Sequence, residues 1–199
     1  MVGDTAIVQA YAYGKFLGEL NVTFDNMGKI VQAVGEPLSL DGTVSEDSAT
    51  KDRIAQAAIP LEEIRTQVVA KSSAVIQGDS KVCRVAECEM GNLVADAMLD
   101  RVADQGAQIA IANSGGLRAS IDAGDVTMGE VLTVLPFQNT LATFQISGQG
   151  VIDALENGVS QVEEVKGRFP QVAGLKFTWD PSVAPNEGRV VEVMVAEGG

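Results

Sequence analysis

From Val75 onward the apolar residues recur first with a helical period and then with a strand period, several times over, and this switching narrows the possible folds more than any other feature. Glu89–Gln105 sets Met90, Leu93, Val94, Ala97, Met98 and Val102 along one helical face, with Asp96, Asp100, Arg101 and Asp104 outside, which predicts a helix packed on one side. Gln108–Asn113 reads as a short buried strand ending in the Gly115-Gly116 turn. Thr127-Met128-Gly129-Glu130 fits a capping box, since the Thr hydroxyl and Glu carboxylate can satisfy orphan N–H groups at a helix start. Pro136 stops that helix and leaves Phe137 displayed just past its end. A strand at Leu141–Ile146, a helix at Gly150–Gln161, a strand at Leu175–Trp179 and a strand at Arg189–Ala196 follow. The pattern predicts a mixed α/β domain of the α+β kind over residues 75–199.

Upstream, strict alternation predicts strands at Ala6–Ala12, Glu19–Asp25 and Lys29–Val34, the last two joined as an antiparallel hairpin by Asn26-Met27-Gly28. An acidic run from Ser39 to Asp52 breaks the alternation. Glu46–Lys71 then reads as helical, with Pro60 kinking the helix or starting a new one. The expected organisation is a terminal β segment over 1–45, a linker helix region over 46–74 and the α/β domain over 75–199. Apolar residues at 46% and charged residues at 21% are globular proportions. No stretch reaches the roughly 18 uninterrupted apolar residues of a membrane-spanning helix, and no basic-then-apolar leader opens the chain. Met1 stands before what reads as the middle of a strand, so an artificial start is expected, with any secretion signal lost upstream.

The chain has no histidine, which excludes Ser-His-Asp and Cys-His nucleophile systems and the metal centres built on imidazole. Its 14 basic and 27 acidic side chains, net −13, argue against binding a nucleic-acid polymer, while a small anion could still be held by a local arginine cluster. Cys83 and Cys88 are two ligands short of the usual four-ligand zinc site, and their spacing allows either a small disulfide loop or two reduced thiols. Arg84 lies inside that loop, and Arg118 follows two glycines that allow a sharp turn and expose backbone amides. Both guanidiniums suit oxyanions, although each could equally be a surface arginine paired with a carboxylate. Asn113 can offer an acceptor and two donors to a base edge or serve simply as a turn residue, and Phe137 can stack on a base or fill a core. Gly148-Gln149-Gly150 imitates a dinucleotide fingerprint, but Asp153 stands where its third glycine belongs; Ser48-Ala49-Thr50-Lys51 imitates an acyl-transfer motif inside an acidic segment.

Three segments in order are Cys83-Arg84-Val85-Ala86-Glu87-Cys88-Glu89-Met90-Gly91-Asn92-Leu93, Asn113-Ser114-Gly115-Gly116-Leu117-Arg118 and Leu135-Pro136-Phe137-Gln138-Asn139-Thr140. Together they resemble the substrate-binding C-terminal domain of the 5′-nucleotidases, secreted metallophosphatases and UDP-sugar hydrolases that act on nucleotides. Gln9-Ala10-Tyr11-Ala12-Tyr13-Gly14-Lys15-Phe16-Leu17-Gly18 resembles the closing strands of the family's N-terminal metallophosphatase domain. The resemblance implies that Arg84 and Arg118 take the phosphate or ribose side of a nucleotide, Asn113 its base, and Phe137 one side of an aromatic clamp. It further implies a backbone contact from Gly174, a Cys83–Cys88 disulfide, and hence a periplasmic or extracellular location. In the family, two divalent metals and the catalytic residues belong to the N-terminal domain. The second clamp aromatic and a partner aspartate lie beyond a Gly-Gly-Asp-Gly segment, past Gly199. The chain alone is therefore expected to hold no metal, to lack hydrolytic activity, and to carry part of a pocket for a small-molecule nucleotide. A non-catalytic nucleotide-binding or interaction module is the alternative. Oligomeric state is not legible.

Overall fold

The computed structural model describes residues 5–196. The chain divides into two compact units with the boundary between Ala58 and Ile59. In the first, β1 (Phe16–Leu17) pairs antiparallel with a later strand, and β2 (Asn21–Phe24) and β3 (Ile30–Val34) form the expected hairpin. The turn is fixed less by Asn26 than by Asp25, whose carboxylate accepts from the N–H groups of Met27 and Lys29, both at 2.9 Å, with Gly28 at φ +79°. β4 (Leu38–Ser39) returns to β1. The strand expected at Ala6–Ala12 does not form. The Gln9 amide instead bonds both the N–H and the carbonyl of Tyr11, and Tyr11 and Tyr13 take φ of 61° and 62°. Those left-handed angles break a strand whatever the alternation says.

Helix α1 (Ser48–Thr66) contains Pro60 and is shorter than the sequence suggests. Its expected C-terminal turns become β5 (Val68–Ser72), where Val68, Ala70, Lys71 and Ser72 find ladder partners and Val69 falls at an irregularity in the register. After a short α2 (Ser80–Cys83), capped by the Asp79 carboxylate on the Lys81 N–H at 2.7 Å, comes α3 (Glu89–Arg101). β6 (Ala110–Asn113), β7 (Gly124–Thr127) and α4 (Met128–Val134) follow. β7 pairs antiparallel with β5, and the Thr127–Glu130 capping box opens α4 as expected. Leu141–Ile146 makes no ladder among the described residues; it lies open, with Phe144 75% exposed. Period-two alternation fixes faces but supplies no partner.

The last third contains α5 (Gly148–Gly158), a 3₁₀ turn through Glu164, and strands β8 (Pro170–Ala173), β9 (Leu175–Trp179) and β10 (Val190–Val195). β8 was hidden in the sequence because it begins with proline and carries a glutamine inward. Proline at a first strand position is tolerated there. β8 pairs antiparallel with β6, setting Ala112 opposite Gln171 and Asn113 opposite Pro170, while β9 and β10 form a separate antiparallel ribbon. Ala95 of α3, Ala110 and Ala173 are all buried and small, so the helix approaches the β6–β8 pair closely. Val151 and Leu155 of α5 bury against Leu175 and its neighbours on the β9–β10 ribbon. Truncating fully buried Leu155 to alanine costs about 2–5 kcal/mol.

One buried charge ties this layer together. The Arg189 guanidinium, on a residue only 3% exposed, donates to the carbonyls of Val183 and Val159 at 2.7 and 2.8 Å and forks onto Glu163. The Glu156 carboxylate accepts from the backbone N–H groups of Gly188, Arg189 and Val190 at 3.0, 2.9 and 2.8 Å. Burial pushes its pKa up, but those three donors and the Arg189 charge outweigh burial and hold it below the ordinary glutamate value. Hydrogen bonding to Arg189 lowers Glu163 in the same way. Because both carboxyls are depressed in the folded state, their contribution is complete above the unfolded pKa of about 4.3 and disappears as pH falls through the folded values. Thermal unfolding followed from about pH 6 to about pH 3 is therefore expected to show a falling Tm. Glu156→Gln is expected to lower Tm at the upper end and to flatten its fall with acid; an equally steep fall in the variant would contradict this.

Candidate functional site

Cys83 and Cys88 are joined, with Cα atoms 5.2 Å apart, and the bridge closes a loop carrying Arg84. Cys88 doubles as the N-cap of α3, its sulfur accepting from the Gly91 N–H at 3.3 Å. The loop is held from the opposite side by Gln171, 1% exposed on β8. Its amide nitrogen donates to the carbonyls of Cys83 and Ala86, both at 2.8 Å, and its amide oxygen accepts from the Cys88 N–H at 3.3 Å. Gly91 makes room for this, since a Cβ there would sit 2.1 Å from the Gln171 amide oxygen.

Arg84 itself is loosely tied. One terminal nitrogen reaches the Val165 carbonyl at 3.4 Å, and its Nε is buried with no hydrogen-bond partner among the described residues. Asn113 ends β6 and sends its amide nitrogen to the Gly167 carbonyl at 3.4 Å. The next residues make a single 3₁₀ turn, Ser114–Gly116. Gly115 donates to the Gly167 carbonyl at 2.8 Å, and a Cβ on Gly167 would come within 2.7 Å of the Gly115 Cα, so two glycine backbones touch here. Arg118 donates weakly to the Gly115 carbonyl at 3.5 Å, and its guanidinium lies 5.7 Å from the ring centroid of Phe137. Phe137, 56% exposed, projects just past the end of α4.

Beside this cluster opens a cleft of about 860 Å³, within the range of small-molecule sites. Leu93, Met98 and Ile111 give it apolar lining, and Asn113, Phe137 and Asn139 line it too. Four of the residues singled out in the sequence thus form one contiguous group around the Gly115–Gly167 contact. Neither Arg84 nor Arg118 joins an ion pair among the described residues, despite the excess of carboxylates. Sequence reasoning missed Gln171, whose type argues against burial, and it placed Arg101 on the outer helix face although it lines the cleft. The wide arc of the last turn of α3 is not resolved by periodicity.

The family model for the 5′-nucleotidase C-terminal domain matches residues 66–199. The chain belongs to that family of hydrolases. It is 40% identical over 195 residues to the trifunctional nucleotide phosphoesterase YfkN of Bacillus subtilis, covering 96% of this chain and 13% of that protein. A snake venom 5′-nucleotidase of Naja atra is 36% identical over 200 residues, covering 95% of this chain and 38% of that protein. The crystal structure of a 5′-nucleotidase precursor from Thermus thermophilus superposes with a TM-score of 0.71 at 42% identity, covering 96% of this chain and 38% of that one. The chain therefore spans well under half the length of these relatives.

Gly174 stands apart from the group around the Gly115–Gly167 contact. It links β8 to β9 at φ +74°, its carbonyl accepts from the Ala196 N–H at 2.9 Å, and a Cβ would lie 2.0 Å from the Gln108 carbonyl oxygen. Like Arg84 and Arg118, it does not line the cleft. Its geometry is that of a required turn glycine. Gly174→Ala is expected to destabilise the domain by about 2–3 kcal/mol, read by urea unfolding, because both the left-handed angle and the close carbonyl oppose a side chain. A change below about 0.5 kcal/mol would contradict it.

Proposed function

We propose that this chain holds the nucleotide for a 5′-nucleotidase-type phosphoric ester hydrolase of nucleotide catabolism. The observation that carries the reading is a pair of guanidiniums, without ion pairs among the described residues, in the cluster beside a cleft that Asn113 and the Phe137 ring line and the two arginines do not. Phe137 supplies a face for a purine or pyrimidine, and Asn113 supplies donors and an acceptor for the base edge. Arg84 and Arg118 meet the phosphate or ribose side with forked, permanently charged donors. The overall charge of −13 repels an anion, so attraction must be local, and these two residues are where it is local.

The chain has no histidine, and no three Cys, Asp or Glu side chains converge as a metal set among the described residues. Its own residues do not fit the two divalent metals expected of the parent, so we assign those metals and the water they activate to a separate domain. The strands β1–β4 we read as the closing part of that domain. The Cys83–Cys88 bridge supports an oxidising compartment, periplasmic or extracellular, and the venom relative is in keeping with it.

The test uses the full-length protein that carries this chain, with AMP as substrate and adenosine as competitor. Arg84→Ala combined with Arg118→Ala is expected to raise the AMP KM by about 100-fold or more, since two charge-assisted contacts are lost, and to leave the adenosine inhibition constant within a few fold. Phe137→Ala is expected to weaken both ligands alike, by about 1–3 kcal/mol. Equal AMP affinity in wild type and double variant would overturn the proposal.

A further inference from the structure

The side chain that aims Arg84 is not one that touches the cleft. Arg84 has little of its own to hold it: one long contact to the Val165 carbonyl and an Nε without a partner among the described residues. Its position is set by the backbone on either side, which the bridge and the turn bonds of α2 hold locally and one distant side chain holds from β8. The carbonyl before Arg84, on Cys83, and the carbonyl two residues after it, on Ala86, both accept from the same Gln171 nitrogen at 2.8 Å. The Cys88 N–H closes the grip on the amide oxygen. Two acceptors and one donor on the loop require an amide; a carboxylate would leave both carbonyls facing oxygen, and an apolar side chain would leave all three groups buried and unpaired.

The other end of that amide is equally constrained. Gln171 sits on β8 opposite Ala112, one rung from Asn113, so a single side chain fixes the distance between the arginine loop and the strand end that presents Asn113. Gly91 holds the slot open from α3, where any Cβ would fall 2.1–2.5 Å from the Gln171 side chain.

We infer that Gln171 is the positioning residue that sets the Arg84 guanidinium against the phosphate of the bound nucleotide, through the bridged loop and with Gly91 as its seat. The inference rests on the nucleotide reading above. It assigns Gln171 an effect on the anionic part of the ligand and none on the base.

Gln171→Met keeps length and removes the three hydrogen bonds; Gly91→Ala leaves Gln171 in place but pushes its amide out of the slot while favouring the helix. In the full-length protein, each is expected to raise the AMP KM about tenfold and to leave the adenosine inhibition constant unchanged. In an Arg84→Ala background Gln171→Met should add nothing further to the AMP KM, because the group being aimed is gone. The inference is overturned if AMP and adenosine weaken together, if neither weakens, if the effects of Arg84→Ala and Gln171→Met simply add, or if neither variant folds, which would make Gln171 general core support. A wild-type protein that does not prefer AMP to adenosine would instead overturn the nucleotide reading itself.

Discussion

The antiparallel ladder between β6 and β8 carries Asn113 at one end and Gln171 one rung away, and the segment leading into β8 supplies carbonyls to the residues clustered around the Gly115–Gly167 contact. The carbonyls of Val165, Gly167 and Phe169 receive Arg84, Asn113, Gly115 and Ser114. Pairing therefore determines chemistry here: a slip of one residue would turn Gln171 outward and release the disulfide loop. The ladder is itself seated by Ala110 and Ala173 against Ala95 of α3 and ended by Gly174, where the chain must turn with φ positive.

Burial is distributed to match. The buried polar residues of the domain are concentrated at two places. Gln171 lies at the disulfide loop and Ser114 in the turn after Asn113, and Arg189, with Ser160 near it, locks the far layer. At Arg189 every guanidinium nitrogen finds a carbonyl or carboxylate, which is the arrangement a buried cation needs to be tolerated. In the cluster beside the cleft two buried atoms, Arg84 Nε and Ser114 Oγ, have no partner among the described residues. Unsatisfied groups are rare in rigid cores and concentrate where a ligand or ordered water completes the set. The contrast is between an arginine held on all three guanidinium nitrogens and one held by a single long contact.

Much of this was legible beforehand because it is local. The Glu89 helix, the Thr127–Glu130 cap, the Pro136 stop and the Leu175–Trp179 strand depend on spacing within a dozen residues, and all appear close to where spacing puts them. Arg84, Asn113, Arg118 and Phe137 were legible as motif residues, though nothing in the spacing showed that a Gly115–Gly167 contact would join them. What stayed hidden is non-local. β5, β7 and β8 owe their existence to partners far along the chain, and Gln171 is informative only once the loop it grips is known. Conversely, Ala6–Ala12 and Leu141–Ile146 alternate like strands yet form none, because alternation specifies faces and not ladders. Gly174 drew notice in the sequence as a ligand contact, and its surroundings explain its type by backbone geometry instead.

The most direct test is a crystal structure of the full-length protein with AMP or a non-hydrolysable nucleotide bound. The account expects the base against the Phe137 ring within reach of the Asn113 amide, and phosphate oxygens at hydrogen-bond distance from the Arg84 and Arg118 guanidiniums. A nucleotide seated elsewhere, with both guanidiniums turned away from it, would contradict the account.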